Sequence, residues 1–145
     1  MSYVEQVLGA DESVVMKAKV SIFAFLGDFF AILVLAILSV SIHPFIAIFI
    51  IFLLLRMFVI ITTTELALTN KKVIAKFGFI RRDTIELRLE KIESIRVGQG
   101  ILGRIFNYGT IFINGAGSSA PIPFIGAPIN FKRSVDEYIE NKLSK

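Results

Sequence analysis

Cysteine and tryptophan are absent from this chain of 145 residues, and histidine occurs once. Without cysteine there is no disulfide framework, no thiolate metal site and no cysteine nucleophile. A single histidine excludes a multi-histidine metal centre within one chain. Charge is also scarce, at 19% of residues against about 25% in an average soluble domain. The hydrophobic fraction is 54% and the mean hydropathy is +0.72. That balance excludes intrinsic disorder, collagen, coiled coil and a polar nucleic-acid-binding tail. The length suits one domain with an appendage, not two full soluble domains.

The apolar excess is concentrated in two runs. Residues 20–41 hold one charge, Asp28, and residues 44–61 hold one charge, Arg56. Crossing a hydrocarbon core takes about 20 apolar residues. Both runs qualify, and the short Ser41-Ile42-His43-Pro44 connection makes them a helical hairpin, because lipid tolerates only internally hydrogen-bonded structures. The expected spans are 20–41 and 44–62. A cleaved signal peptide fits poorly, since its apolar core is only about 7–15 residues long. A buried soluble hairpin fits poorly too, since both runs are apolar on every face.

Flanking charge sets the orientation. Lys17 and Lys19 precede the first run, and Lys71, Lys72, Lys76, Arg81 and Arg82 follow the second, while the connection has no Lys or Arg. The positive-inside rule places both termini in the cytoplasm and His43-Pro44 on the far side of the membrane. The resulting division is a cytoplasmic juxtamembrane segment 1–19, a transmembrane hairpin 20–62 and a cytoplasmic domain 63–145. Folding the hairpin at residue 42 leaves Asp28 and Arg56 equidistant from the bend, so the two charges fall level. An intramembrane ion pair that fixes the hairpin register is the reading favoured by cost. Pairing between subunits, ion or proton passage, and snorkelling of Arg56 are the alternatives.

After residue 62 the pattern changes to period two. Leu66 and Leu68 alternate with Glu65, Ala67 and Thr69; Val73, Ala75 and Phe77 alternate with Lys72 and Lys76; Ile85, Leu87 and Leu89 alternate with Thr84, Glu86 and Arg88. Ile95, Val97 and residues 110–114 continue it. Eight of the ten glycines lie in this part, which argues short antiparallel strands. Residues 98–109 form a Gly-rich connection with one helical turn expected at 102–107. Pro121 and Pro123 confine their segment to an edge strand or loop. Phe131, Val135, Tyr138, Ile139 and Lys142 form one stripe of a closing helix, with Asn130 as its expected N-cap.

This organisation resembles the bacterial pleckstrin-homology-like membrane proteins, in the type with an N-terminal transmembrane hairpin. The resemblance is carried by Tyr3-Val4-Glu5-Gln6-Val7-Leu8-Gly9-Ala10-Asp11-Glu12, by Glu65-Leu66-Ala67-Leu68-Thr69-Asn70-Lys71-Lys72-Val73-Ile74, by Gly78-Phe79-Ile80, and by Ile85-Glu86-Leu87 with Leu89-Glu90-Lys91-Ile92-Glu93-Ser94-Ile95. Its most specific piece is Leu102-Gly103-Arg104-Ile105-Phe106-Asn107-Tyr108-Gly109-Thr110. The resemblance implies a mainly antiparallel, PH-like, partly open β-barrel capped by a C-terminal α-helix, and it suggests homo-oligomers. It implies neither an enzyme nor a defined ligand, and the function of the family is poorly known.

No catalytic, cofactor or metal constellation is expected. His43 sits in the connection, far from the carboxylates of the domain. Glu86, Glu90 and Glu93 are interleaved with Arg88, Lys91 and Arg96 as a solvated charge pattern. Gly98, Gly100 and Gly103 match a dinucleotide fingerprint by letters alone, without a parallel βαβ context. From residue 62 onward 13 basic residues stand against 8 acidic ones. Topology explains that excess, so no nucleic-acid partner is expected. Lys71, Lys72, Lys76, Arg81 and Arg82 are candidate contacts to anionic lipid. Ile101, Leu102 and Phe106 are expected to meet the domain core first and a neighbouring subunit second.

The expected function is a non-catalytic, membrane-anchored interaction or scaffold module, homo-oligomeric, with the bilayer and other membrane proteins as partners. The alternatives are an anionic-lipid headgroup sensor and a small channel or transport subunit built from oligomerised hairpins.

Overall fold

A computed structural model describes residues 3–41, 45–78, 83–115 and 117–143. The first sheet contains β1 (Val14–Ala18), β2 (Glu65–Thr69), β3 (Lys72–Phe77) and β4 (Asp83–Arg88), paired antiparallel in that order. The second contains β5 (Ile92–Gly98), β6 (Tyr108–Gly115) and β7 (Ser118–Gly126), also antiparallel and in order. The helices are α1 (Tyr3–Gln6), α2 (Leu26–Ser41), α3 (Ile46–Thr63), α4 (Ile101–Ile105) and α5 (Pro128–Leu143), with 3-10 turns at Ile22–Phe25 and Leu89–Lys91.

The expected alternation builds the main core. Leu66, Leu68, Val73 and Ala75 of the first sheet and Ile111, Ile113 and Ile122 of the second face Phe131 and Val135 of α5. The helix fills the space between the sheets, with Tyr138 and Ile139 packed behind. It starts two residues before the expected Asn130 cap, because Pro128 suits the first helical position, where its missing N–H costs nothing. The sheets themselves do not close into a barrel. β4 passes to β5 through the 3-10 turn, and at the opposite corner one bridge, Val20 to Ile125, joins the sheets.

One feature departs from the sequence reading. The reverse face of β2 and β3 is covered rather than solvated. Ala67 and Ile74 form a second small core with Val4 of α1. That helix is held by the Glu65 carboxylate, which accepts hydrogen bonds from the Tyr3 and Val4 N–H groups at 3.3 Å. Residues 14–18 also join the sheet. Lys17 pairs with Ala67 and Ala18 with Leu66, so β1 and β2 are neighbouring strands whose connection is the apolar helical hairpin.

Residues 20 and 21 of the first apolar run are extended, not helical. β7 is an edge strand and offers free backbone groups, and Ser21 N–H donates to Phe124 O at 2.7 Å. The helix proper starts at Leu26. Its 16 residues and the 18 of α3 rise about 24 and 27 Å. The expected bend at His43-Pro44 lies outside the described residues.

The Gly-rich connection contains α4 one residue ahead of its expected start. Gly103 and Gly109 serve close approach rather than left-handed backbone. A Cβ on Gly103 would stand 2.6 Å from Tyr108 O, and one on Gly109 2.5 Å from Gly98 O. Gln99 Nε2 staples the corner by donating to Gly103 O at 3.0 Å and Tyr108 O at 2.9 Å. Gly103→Ala is therefore expected to cost about 1–3 kcal/mol by forcing α4 off β6. Chemical denaturation of the variant checks this, and an unchanged midpoint would contradict the close contact.

Candidate functional site

The hairpin charges meet. Arg56 Nη1 donates to Asp28 Oδ2 at 2.7 Å, between α2 and α3. Among the described residues no group of three or more His, Asp or Glu side chains could hold a metal. Gly98 ends β5, and Gly100 and Gly103 lie between it and its antiparallel neighbour β6, which is not the parallel setting a dinucleotide site needs. Of the interleaved acids, Glu86 pairs with Lys72 at 2.8 Å and Glu90 with Lys142 at 3.4 Å.

The candidate lipid-contact residues separate into two ends of the first sheet. The chain leaves α3 directly into β2, so Glu65 marks the hairpin end. Lys76 is level with Glu65 in the β2–β3 register and lies over the Tyr3 ring at 5.0 Å. Lys71 and Lys72 sit at the opposite turn, about 13 Å further along, since four residues of extended strand separate Lys72 from Lys76 at about 3.3 Å each. That exceeds the Debye length of about 8 Å at physiological salt. Arg81 and Arg82 lie outside the described residues. Lys17 in β1 and Lys19 just after that strand, the last basic residues before the hairpin, belong with Lys76 at the near end. The linear order of the sequence hides this grouping, since it separates them by some 60 residues of chain.

Lys72 is also engaged within the domain. Its ammonium donates to Glu86 and to Val7 O at 3.1 Å, and it stands 3.5 Å from Glu12. The Glu86 hydrogen bond holds the Lys72 value above the ordinary lysine range, against burial, with Glu12 assisting. Burial pushes the Glu12 carboxyl up, but hydrogen bonds from Thr69 and Gly9 and the Lys72 charge hold it lower than an ordinary glutamate. A depressed carboxyl contributes stability above its unfolded value and loses it as pH falls through the folded one. The Lys72 contribution is lost only as pH rises through its raised value. Thermal midpoints should hence fall on acidification below the ordinary glutamate range, and Glu12→Gln should flatten that acid limb. Identical limbs would rule this network out.

The hairpin end of the domain carries the other notable surface. Phe25, 1% exposed, packs its ring 5.3 Å from Phe124, and Phe23 stacks on Phe106 at the same distance. Phe124 adopts φ +64°, a rare state for an aromatic residue, at the bulge where β7 receives the chain entering the hairpin. An apolar cleft of about 420 Å³ lies where the chain enters and leaves the hairpin, lined by Val20, Ile22, Ile61, Thr64, Lys17 and Lys19 among others. The expectation that Ile101, Leu102 and Phe106 meet the domain core first is corrected here for Ile101 and Leu102. Ile101 is 82% exposed, Leu102 and Ile105 are exposed, and only Gly103 of α4 is buried. The tight seat of Gly103 on β6 turns the aliphatic side chains outward. Phe106 is half-buried, against Phe23.

The family model described as "Bacterial PH domain" matches residues 21–138. A solved structure of a DUF1696 family protein with a pleckstrin-homology domain, from Shewanella loihica, is similar with a TM-score of 0.48 at 7% identity, over 94% of this chain and 89% of that one. No curated protein matches the sequence significantly.

Proposed function

We propose that this chain, which belongs to the bacterial PH domain family, is a non-catalytic membrane-anchored scaffold that holds its PH-like domain against the cytoplasmic leaflet and self-associates there. One observation carries the reading. The apolar hairpin is inserted between the adjacent strands β1 and β2, with no flexible linker on either side. A domain tethered this way keeps one fixed orientation towards the bilayer. The surfaces of α2 and α3 support the membrane part: Phe30, Leu33, Ile37, Phe49, Phe52 and Phe58 are all exposed, which water would penalise and lipid would not. The outer edges of β4 and β5, which end their sheets among the described residues, support the interaction part, since the outer edge of a sheet can receive an added strand. Anchoring both ends of the hairpin also puts Lys17, Lys19 and Lys76 nearest the leaflet, where anionic lipid adds about 1 kcal/mol per basic residue.

The test is the native mass of the intact protein released from lipid nanodiscs, with bound lipid resolved. A discrete homo-oligomer without retained headgroups is expected. A monomer retaining a defined anionic lipid would overturn the scaffold reading in favour of a lipid sensor.

A further inference from the structure

We propose that α4 is an interfacial foot, a single helical turn whose Ile101, Leu102 and Ile105 insert at the headgroup–acyl boundary of the leaflet facing the domain. The inference rests on the membrane reading above and adds a second attachment point to it.

Outside residues 22–63, the large apolar side chains exposed among the described residues are Val15, Ile101, Leu102, Ile105 and Ile129. All but Val15 gather at the end where the chain enters the hairpin. Three contacts fix that placement. Phe106, just after α4, stacks on Phe23 at the start of the first apolar segment. Asn107 O accepts from Ala127 N–H at 2.8 Å, two residues before Ile129. Lys19 O accepts from Gly126 N–H at 2.9 Å. The foot is thus continuous with the apolar surface of the hairpin through the Phe23–Phe106 stack.

Its chemistry suits an anionic leaflet. Residues 98–109 hold one charge, Arg104, and no carboxylate. Arg104 is exposed on the same turn, where a long basic side chain reaches headgroups while its aliphatic neighbours enter the acyl boundary. A second protein copy fits less well. A stable interface buries about 800 Å² on each partner, far more than one turn with three aliphatic side chains offers. Insertion into lipid needs no matching surface. A turn of five residues is also too short to persist alone, so its presentation depends on the Gly103 seat against Tyr108.

The natural absence of tryptophan makes the test direct. The full chain carrying Ile105→Trp, and separately Ile101→Trp, is placed in vesicles of phosphatidylcholine and phosphatidylglycerol. Bromine is introduced either near the top of the acyl chains or near their ends. Leu55→Trp, in the middle of α3, is the reference for the hairpin. The expected result is blue-shifted emission from both α4 variants, lost chiefly to shallow bromine, while Leu55→Trp loses emission chiefly to deep bromine. Water-like emission from α4 beside a quenched Leu55→Trp would overturn the foot and leave the hairpin reading standing. Blue-shifted emission that bromine does not quench would also overturn it, showing a protein neighbour instead. An unquenched Leu55→Trp would overturn the membrane reading and the foot with it.

Discussion

Phe131→Ala is expected to destabilise the domain by about 3–5 kcal/mol, the usual range for removing a fully buried phenylalanine. The ring is fully buried in the same cluster as Leu66, Ile111 and Ile122, on a helix that packs against β1 of the first sheet and β5 and β6 of the second. Those sheets do not close on each other, and α5 is what joins them through the middle. A void at this position would therefore lose contacts on two surfaces that have no ladder to hold them. Total stability of a small domain is about 5–15 kcal/mol, so the variant would sit near its unfolding threshold. Hydrogen exchange at the β6 amides of Ile111 and Ile113 measures the loss. Glu137→Ala, on the exposed face of the same helix, should stay within about 0.5 kcal/mol. Equal protection in Phe131→Ala and the parent would contradict the central role of α5.

Arg56→Leu alone is expected to cost about 3 kcal/mol of hairpin stability, because it leaves Asp28 charged in an apolar setting. The double change Asp28→Leu with Arg56→Leu should recover most of that loss. The two side chains are not buried by protein, since both remain accessible on the hairpin surface. Their cost therefore depends on what surrounds the hairpin. In lipid the unpaired carboxylate is expensive, whereas in water an exposed pair is worth about 0–1 kcal/mol. Protease protection of the inserted chain in vesicles, compared across parent, single and double variants, reads the effect. If the single and double variants behave alike, the pair does not stabilise the hairpin in a low-dielectric medium.

The arrangement of those two charges is legible in the sequence because helix geometry is regular. Equal spacing from a short bend makes two residues level, and side-chain length does the rest. The strand alternation is legible for the same reason, since a period of two assigns Leu66, Val73 and Ile111 to one face without any tertiary knowledge. What is hidden depends on contacts between distant segments. Ala67 reads as solvent-facing until α1 folds over it, an event set by a hydrogen bond between Glu65 and a helix some 60 residues earlier. The segment before the hairpin alternates weakly, and its pairing with β2 follows from the hairpin returning the chain to its starting point.

The candidate surface was harder to read for a related reason. Lys71 and Lys72 lie close to the hairpin in sequence, yet a strand carries them away from it at 3.3 Å per residue. Lys76 returns on the next strand to the near end. The apolar residues of the Gly-rich connection look like core, because nothing in their order reveals that Gly103 takes the only buried position of the turn.

The measurement that tests the account most directly is labelling of single cysteines in intact cells, feasible because the chain contains none. His43→Cys should react with a membrane-impermeant maleimide added outside, and Glu140→Cys should react only after the cells are opened. Labelling of both positions, or of neither, in intact cells would contradict a hairpin that crosses the membrane and holds the PH-like domain on the cytoplasmic side.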